Sequence, residues 1–141
     1  MNEFKFKKKY GQNFLQNRAI IDKIAKVADI KSNSLVIEVG PGSGNLTLAL
    51  ASLYKNSNIL AYEVDNSLED VLASRLKDYD NVKILFNDFL KANIVSDVGE
   101  YSYDNLYFVS NVPYYITTPI LFKLIDSNLE FEKIVMMVQK E

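Results

Sequence analysis

Two hydrophobic rhythms divide the chain. Ile20, Ile21, Ile24, Val27 and Ala28 recur at i, i+1, i+4, i+7 and i+8, one face of an α-helix, and predict a helix over residues 17–29. Five short apolar runs follow: SLVIEVG (34–40), NILAYEV (58–64), NVKILFND (81–88), NLYFVSN (105–111) and EKIVMMV (132–138). Their β-branched and aromatic content, apolar on successive positions, suits strands covered on both faces. Between them the period returns to that of a helix. Leu46, Ala49, Leu50 and Leu53 follow the first run, and Leu68, Val71, Leu72 and Leu76 follow the second, with Asn66 or Ser67 as the expected cap. Thr118 and Pro119 read as an N-cap and first helical residue. Residues 91–104 lack a clear period and are expected to form a loop or a short helix. Alternation of strand and helix predicts an α/β fold with a mostly parallel sheet and right-handed crossovers.

Open sheets of this class bind ligands beyond the carboxyl ends of their strands, so the residues that end each run matter most. The first run ends in Gly40-Pro41-Gly42-Ser43-Gly44, either a tight strand-to-helix turn or a loop that lets a ligand approach the backbone. The second reaches Glu63, 23 residues after Gly40, an acid able to accept both hydroxyls of a ribose. Loop and acid together indicate a nucleoside-containing cofactor without separating a dinucleotide from S-adenosylmethionine. The third ends in Phe86-Asn87-Asp88-Phe89. There Asp88 is suited to accept from an adenine amino group between aromatic rings, which favours S-adenosylmethionine, or it simply caps a helix.

The fourth tip, Asn111-Val112-Pro113-Tyr114, reads by itself as an ordinary loop. Its chemistry allows more. An aromatic amine is a poor nucleophile because its lone pair is delocalised. The Asn111 side-chain oxygen and the Val112 carbonyl are two acceptors able to hold the amine's N–H groups and turn that lone pair outward. Pro113 stiffens the turn, and Tyr114 is placed to stack on an extruded base, a contact worth about 1–3 kcal/mol.

Composition narrows the chemistry. The chain has 141 residues, 48% of them hydrophobic, about the size of one domain. It has no cysteine and no histidine, which excludes disulfides, thiolate nucleophiles, histidine triads and the usual zinc ligands. With no membrane-length apolar run and no signal-type h-region, the sequence reads as cytoplasmic. The net charge of −2 conceals an asymmetry: residues 1–31 carry +5 and the remainder −7. The positive end concentrates in FKFKKKY, where lysines alternate with aromatic rings. This is either a solvated terminus or an arm that meets phosphates and bases.

With these residues the chain resembles the rRNA adenine dimethyltransferase family of class I S-adenosylmethionine-dependent methyltransferases. The resemblance rests on KKKYGQNFL, VIEVGPGSGNLT, YEVD, FNDFL, NVPYYITTPI and VQKE, in the family's order along nearly the whole chain. It implies transfer of methyl groups from S-adenosylmethionine, leaving S-adenosylhomocysteine, to adenine amines of small-subunit rRNA during ribosome biogenesis. Large-subunit rRNA of the antibiotic-resistance type and DNA are the alternative substrates. By the same resemblance, Asn13, Leu15, Gly40, Gly42, Glu63, Asp88 and Asn111 bind the cofactor, with Asn111 and Tyr114 catalytic. Glu38 falls in a matching segment without an assigned role. Tyr115 departs from the pattern, where asparagine commonly follows the NxPY element. The expected organisation is a basic arm and cofactor-covering segment at 1–16 and a methyltransferase domain at 17–141, cut before the family's last two strands and its C-terminal helical domain. The expected partner is the immature small ribosomal subunit, with no membrane or metal, and the full-length protein is expected to be a monomer.

Overall fold

The computed structural model describes residues 18–139. Its first helix, α1, covers residues 18–28. There follow β1 (Ser34–Val39), α2 (Asn45–Leu53), β2 (Asn58–Tyr62), α3 (Glu69–Leu76), β3 (Val82–Leu85), α4 (Ile94–Val98), β4 (Asn105–Pro113), α5 (Thr117–Asp126) and β5 (Lys133–Gln139). All five expected strands form one parallel sheet in the order β3-β2-β1-β4-β5.

Alternate strand residues feed two cores. Leu35 and Ile37 of β1, Leu60 and Tyr62 of β2, and Leu106 and Phe108 of β4 pack with Ile94 and Val98 of α4 and Ile120 and Leu124 of α5. Their neighbours Val36, Ile59, Tyr107 and Val109 face the other way, onto Ile21, Ile24 and Ala28 of α1 and Leu46 and Leu50 of α2. Burial on both faces explains the unbroken apolar runs, since each strand supplies both cores. Full burial of one such side chain contributes roughly 1.5–3 kcal/mol. Lys133 in β5 ties the ends of the fold together: its ammonium donates to the Ala28 carbonyl at 3.0 Å, at the C-terminus of α1.

Several boundaries differ from the sequence reading. The fourth strand does not stop at Asn111. Asn111, Val112 and Pro113 stay in register opposite Met137, Val138 and Gln139 of β5, so this tip is an anchored strand end and not a free loop. Residues 91–104 do hold a short helix, one of the two forms expected there: α4, capped by Asn93, whose side chain accepts from the Ser96 amide at 3.2 Å. The cap ahead of α3 is Asp65, because a 3₁₀ turn at Asn66–Leu68 precedes the helix and the Asp65 carboxylate accepts from Ser67. Thr118 and Pro119 lie inside α5, which begins at Thr117 after a second 3₁₀ turn, Tyr114–Ile116. Proline is tolerated there because amides of the first turn have no intrahelical acceptor.

Candidate active site

Between β1 and β4 the sheet reaches its switch point: β2 and β3 lie on one side of β1, β4 and β5 on the other. Ladder pairing of these two strands runs from Ser34↔Asn105 to Ile37↔Phe108. Beyond it the Ser110 hydroxyl donates to the Val39 carbonyl at 2.7 Å and accepts the Val39 amide at 3.2 Å. A side chain thus replaces ladder bonds where the strands part. Opening of a crevice at such a point follows from chain topology, since helices leave the two strands in opposite directions.

The glycine loop occupies the near side. Gly40, Gly42 and Gly44 all have positive φ, 70°, 58° and 93°. A Cβ at Gly40 or Gly42 would project into open space, whereas one at Gly44 would lie 3.2 Å from Leu72 Cδ2 in α3. The first two glycines therefore expose backbone, and the third lets α3 pack under the start of α2. The Gly40 amide donates to the Tyr62 carbonyl at 2.8 Å, and Arg75 reaches from α3 to donate to the Ser43 carbonyl at 2.6 Å.

Glu63 joins this loop to the second tip. It is 5% exposed; Oε1 accepts the Gly42 amide at 3.0 Å and Oε2 the Asp65 amide at 2.9 Å. Each carboxylate oxygen retains acceptor capacity, and the two amides fix its direction. Asp88 caps no helix. Its Oδ1 accepts the Leu90 amide at 2.9 Å, closing a turn and not a helix, and its carboxylate also lines the crevice. Phe89 beside it is buried edge-on against Tyr62, with ring centroids 5.2 Å apart at 71°.

Gly40, Glu63, Asp88, Asn111, Val112 and Pro113 line a single hollow of about 130 Å³. The structure brings together four of the sequence-predicted residues, and Gly42 joins them through its bond to Glu63. Tyr114 stands outside the lining, 61% exposed, with Tyr115 at 75%. Asn13 and Leu15 lie outside the described residues. The hollow is smaller than a complete small-molecule site of about 300 Å³ or more. A larger cavity of about 290 Å³ lies among α1, α2 and α3, lined by Arg18, Asn45 and Arg75, and contains none of the predicted residues; strand-end geometry is the better guide to chemistry in this fold.

Asn111 supplies the sharpest feature. Its Oδ1 is buried from solvent and, among the described residues, has no hydrogen-bond partner. A buried acceptor without a donor costs about 1–3 kcal/mol, so it marks a position where a donor belongs. Among the described residues no cluster of carboxylates is arranged to hold a metal, and no helix is long and apolar enough to cross a membrane.

Three further residues carried no individual signal in the sequence reading: Ser110, Arg75 and Glu38. Glu38 is 1% exposed at the end of β1 and accepts the Thr47 hydroxyl at 2.5 Å. Burial pushes its carboxyl up to about 8; the Thr47 hydrogen bond opposes this, and the negative charge of Glu63 adds to it. Only the segment VIEVGPGSG hinted at it.

Parallel strand order, glycine loop and acidic tips around one crevice define a class I methyltransferase fold. Residues 3–141 match the family model described as ribosomal RNA adenine dimethylase, and the chain belongs to that family. Over 145 residues it is 45% identical to ribosomal RNA small subunit methyltransferase A of Leuconostoc mesenteroides, covering 100% of this chain and 48% of that protein. The Streptococcus thermophilus protein of the same name is 46% identical over 140 residues, covering 98% of this chain and 48% of the relative. The chain therefore spans about half the length of the curated relatives it matches. Among solved structures, a dimethyladenosine transferase from Plasmodium falciparum superposes with a TM-score of 0.68 at 32% identity, over 86% of this chain and 42% of that one. The 23S rRNA methyltransferase ErmE superposes at 0.65 and 31%, over 87% and 46%.

Proposed function

We propose that this chain forms the cofactor-binding and methyl-transfer half of an enzyme that methylates the exocyclic amine of adenines in small-subunit rRNA. The observation that carries the proposal is the buried Asn111 Oδ1, without a partner among the described residues, on a residue that lines the same hollow as Glu63 and Asp88. Sequence identity of 45–46% with proteins named for the small subunit supports that substrate over large-subunit rRNA.

The residues present fit S-adenosylmethionine. Glu63, held by two backbone amides, accepts from ribose hydroxyls. Asp88, held by Leu90, accepts from the adenine amine, with Phe89 beside it. Glycines without Cβ leave room for the amino-acid end. When bound, the cofactor supplies a methyl group on a positively charged sulfur. The rest is positioning by the chain itself. Asn111 Oδ1 and the Val112 carbonyl accept the two N–H groups of the target amine, and this removes lone-pair density from the ring system and directs it into the hollow. Pairing of residues 111–113 with β5 keeps the acceptors rigid. Exposed Tyr114 stacks on the extruded base. No side-chain general base is required, because the methylated amine releases its proton to water.

Incubation with labelled S-adenosylmethionine and undermethylated small ribosomal subunits tests the proposal, with the part of the relatives that this chain does not span supplied by fusion. Label is expected on adenine of small-subunit rRNA, and Asn111→Ala should reduce transfer by at least about 100-fold. Failure to label small subunits, with transfer to large-subunit rRNA or DNA when these are supplied in parallel reactions, refutes the substrate assignment, and an active Asn111→Ala protein refutes the mechanism.

A further inference from the structure

We infer that Lys123 is a positioning residue that locks the Asp88 turn onto helix α5, so that the proposed adenine end of the site and the target-amine end are held in one register. The inference rests on the cofactor reading above. The segment after β3 is short of regular structure: the Lys91 amide donates to the Asp88 carbonyl at 3.0 Å and the Ala92 amide to the Phe89 carbonyl at 3.3 Å. Such a turn uses its amides internally and leaves carbonyls facing outward. Lys123 collects two of them, its ammonium donating to the Leu90 carbonyl at 2.9 Å and to the Ala92 carbonyl at 2.6 Å. The same nitrogen stands 5.8 Å from the centre of the Phe89 ring, within cation–π range.

One side chain therefore fixes the residues that directly follow the Asp88-Phe89 pair and stands against the Phe89 ring itself. Its own position is set by the other half of the site. α5 begins at Thr117, directly after the 3₁₀ turn that follows Asn111-Val112-Pro113, and Ile120 and Leu124, on either side of Lys123, are buried in the core. Helix α5 is thus rigid relative to the Asn111 tip, and Lys123 transmits that rigidity to the Asp88 turn through Leu90, 33 residues away in sequence. A lysine chosen only for solubility would not be half-buried with its ammonium directed at two carbonyls.

The test is S-adenosylhomocysteine binding by calorimetry to the unmodified chain, Lys123→Met and Lys123→Arg, repeated with S-inosylhomocysteine, which lacks the adenine amine that Asp88 accepts. Methionine keeps the length and apolar stem and removes the donors; arginine restores donors and charge. Lys123→Met is expected to weaken S-adenosylhomocysteine about ten-fold, Lys123→Arg to recover most of that loss, and the inosine analogue to be far less affected. Equal losses for both ligands, or none, overturn the inference, as does failure of arginine to rescue. Should Lys123→Met unfold at the assay temperature, Lys123→Leu, which also lacks donors, carries the same comparison. Absence of binding by the unmodified chain overturns the cofactor reading and this inference with it.

Discussion

Glu38 offers a quantitative test of how deeply the end of β1 is buried. Below pH 4.5, its ordinary value, the carboxyl carries a proton in both folded and unfolded chains. Between 4.5 and about 8 the unfolded chain releases that proton while the folded chain keeps it. The folded state then binds more protons, so stability falls as pH rises through this window and levels off above it. The interval from 4.5 to about 8 corresponds to a total of about 5 kcal/mol. Glu38→Gln preserves size, gives Thr47 an acceptor and removes the ionisation. Urea unfolding of both proteins at pH 5, 6, 7 and 8 isolates the effect, because titrating groups that do not interact with Glu38 cancel in the difference. The variant should gain on the parent by up to about 1.4 kcal/mol per pH unit, approaching the full value near pH 8. A difference that stays flat with pH would falsify the burial argument, since a solvated carboxyl would titrate alike in both states.

Other parts of the structure yield separate expectations. Arg75→Ala releases the Ser43 carbonyl and should weaken S-adenosylhomocysteine about five-fold, measured by calorimetry; undiminished affinity would mean that the loop holds itself. Gly44→Ala forces a side chain into φ 93° and against Leu72, so urea unfolding should show a loss of about 1–2 kcal/mol or more, and a neutral outcome would contradict the packing of α3 under the loop. Phe108→Ala empties the centre of the core shared by β4, α4 and α5, with an expected cost of about 3–5 kcal/mol in the same assay; a loss below about 1 kcal/mol would contradict its complete burial.

Much of this arrangement was legible in the order of residues because its causes are local. Whether Leu35-Val36-Ile37 forms a doubly buried strand depends on consecutive apolar positions, and whether Gly40, Gly42 and Gly44 turn depends on the absence of Cβ. The spacing of glycine loop, Glu63, Asp88 and Asn111 announced one residue per strand end, and a parallel sheet then had to place all four along one edge. Boundaries were less legible. Asn111-Val112-Pro113 reads as a loop because proline and asparagine favour turns, yet pairing with β5, more than 20 residues downstream, holds it as strand.

What only the tertiary structure decided is which polar groups lose water and which find partners. Ser110 meets Val39 across 71 residues, Lys123 meets Leu90 across 33 and Arg75 meets Ser43 across 32. None of these separations has a local period, and each contact exists only once strand register and helix placement have been set. Glu38 is the same case in electrostatic form. In the sequence it is one acid among 18 Asp and Glu residues, whereas in the fold it sits without solvent beside Thr47 and Glu63, where burial keeps its proton. Hydrophobic period is carried by neighbours along the chain, but desolvation and hydrogen-bond pairing depend on neighbours in space.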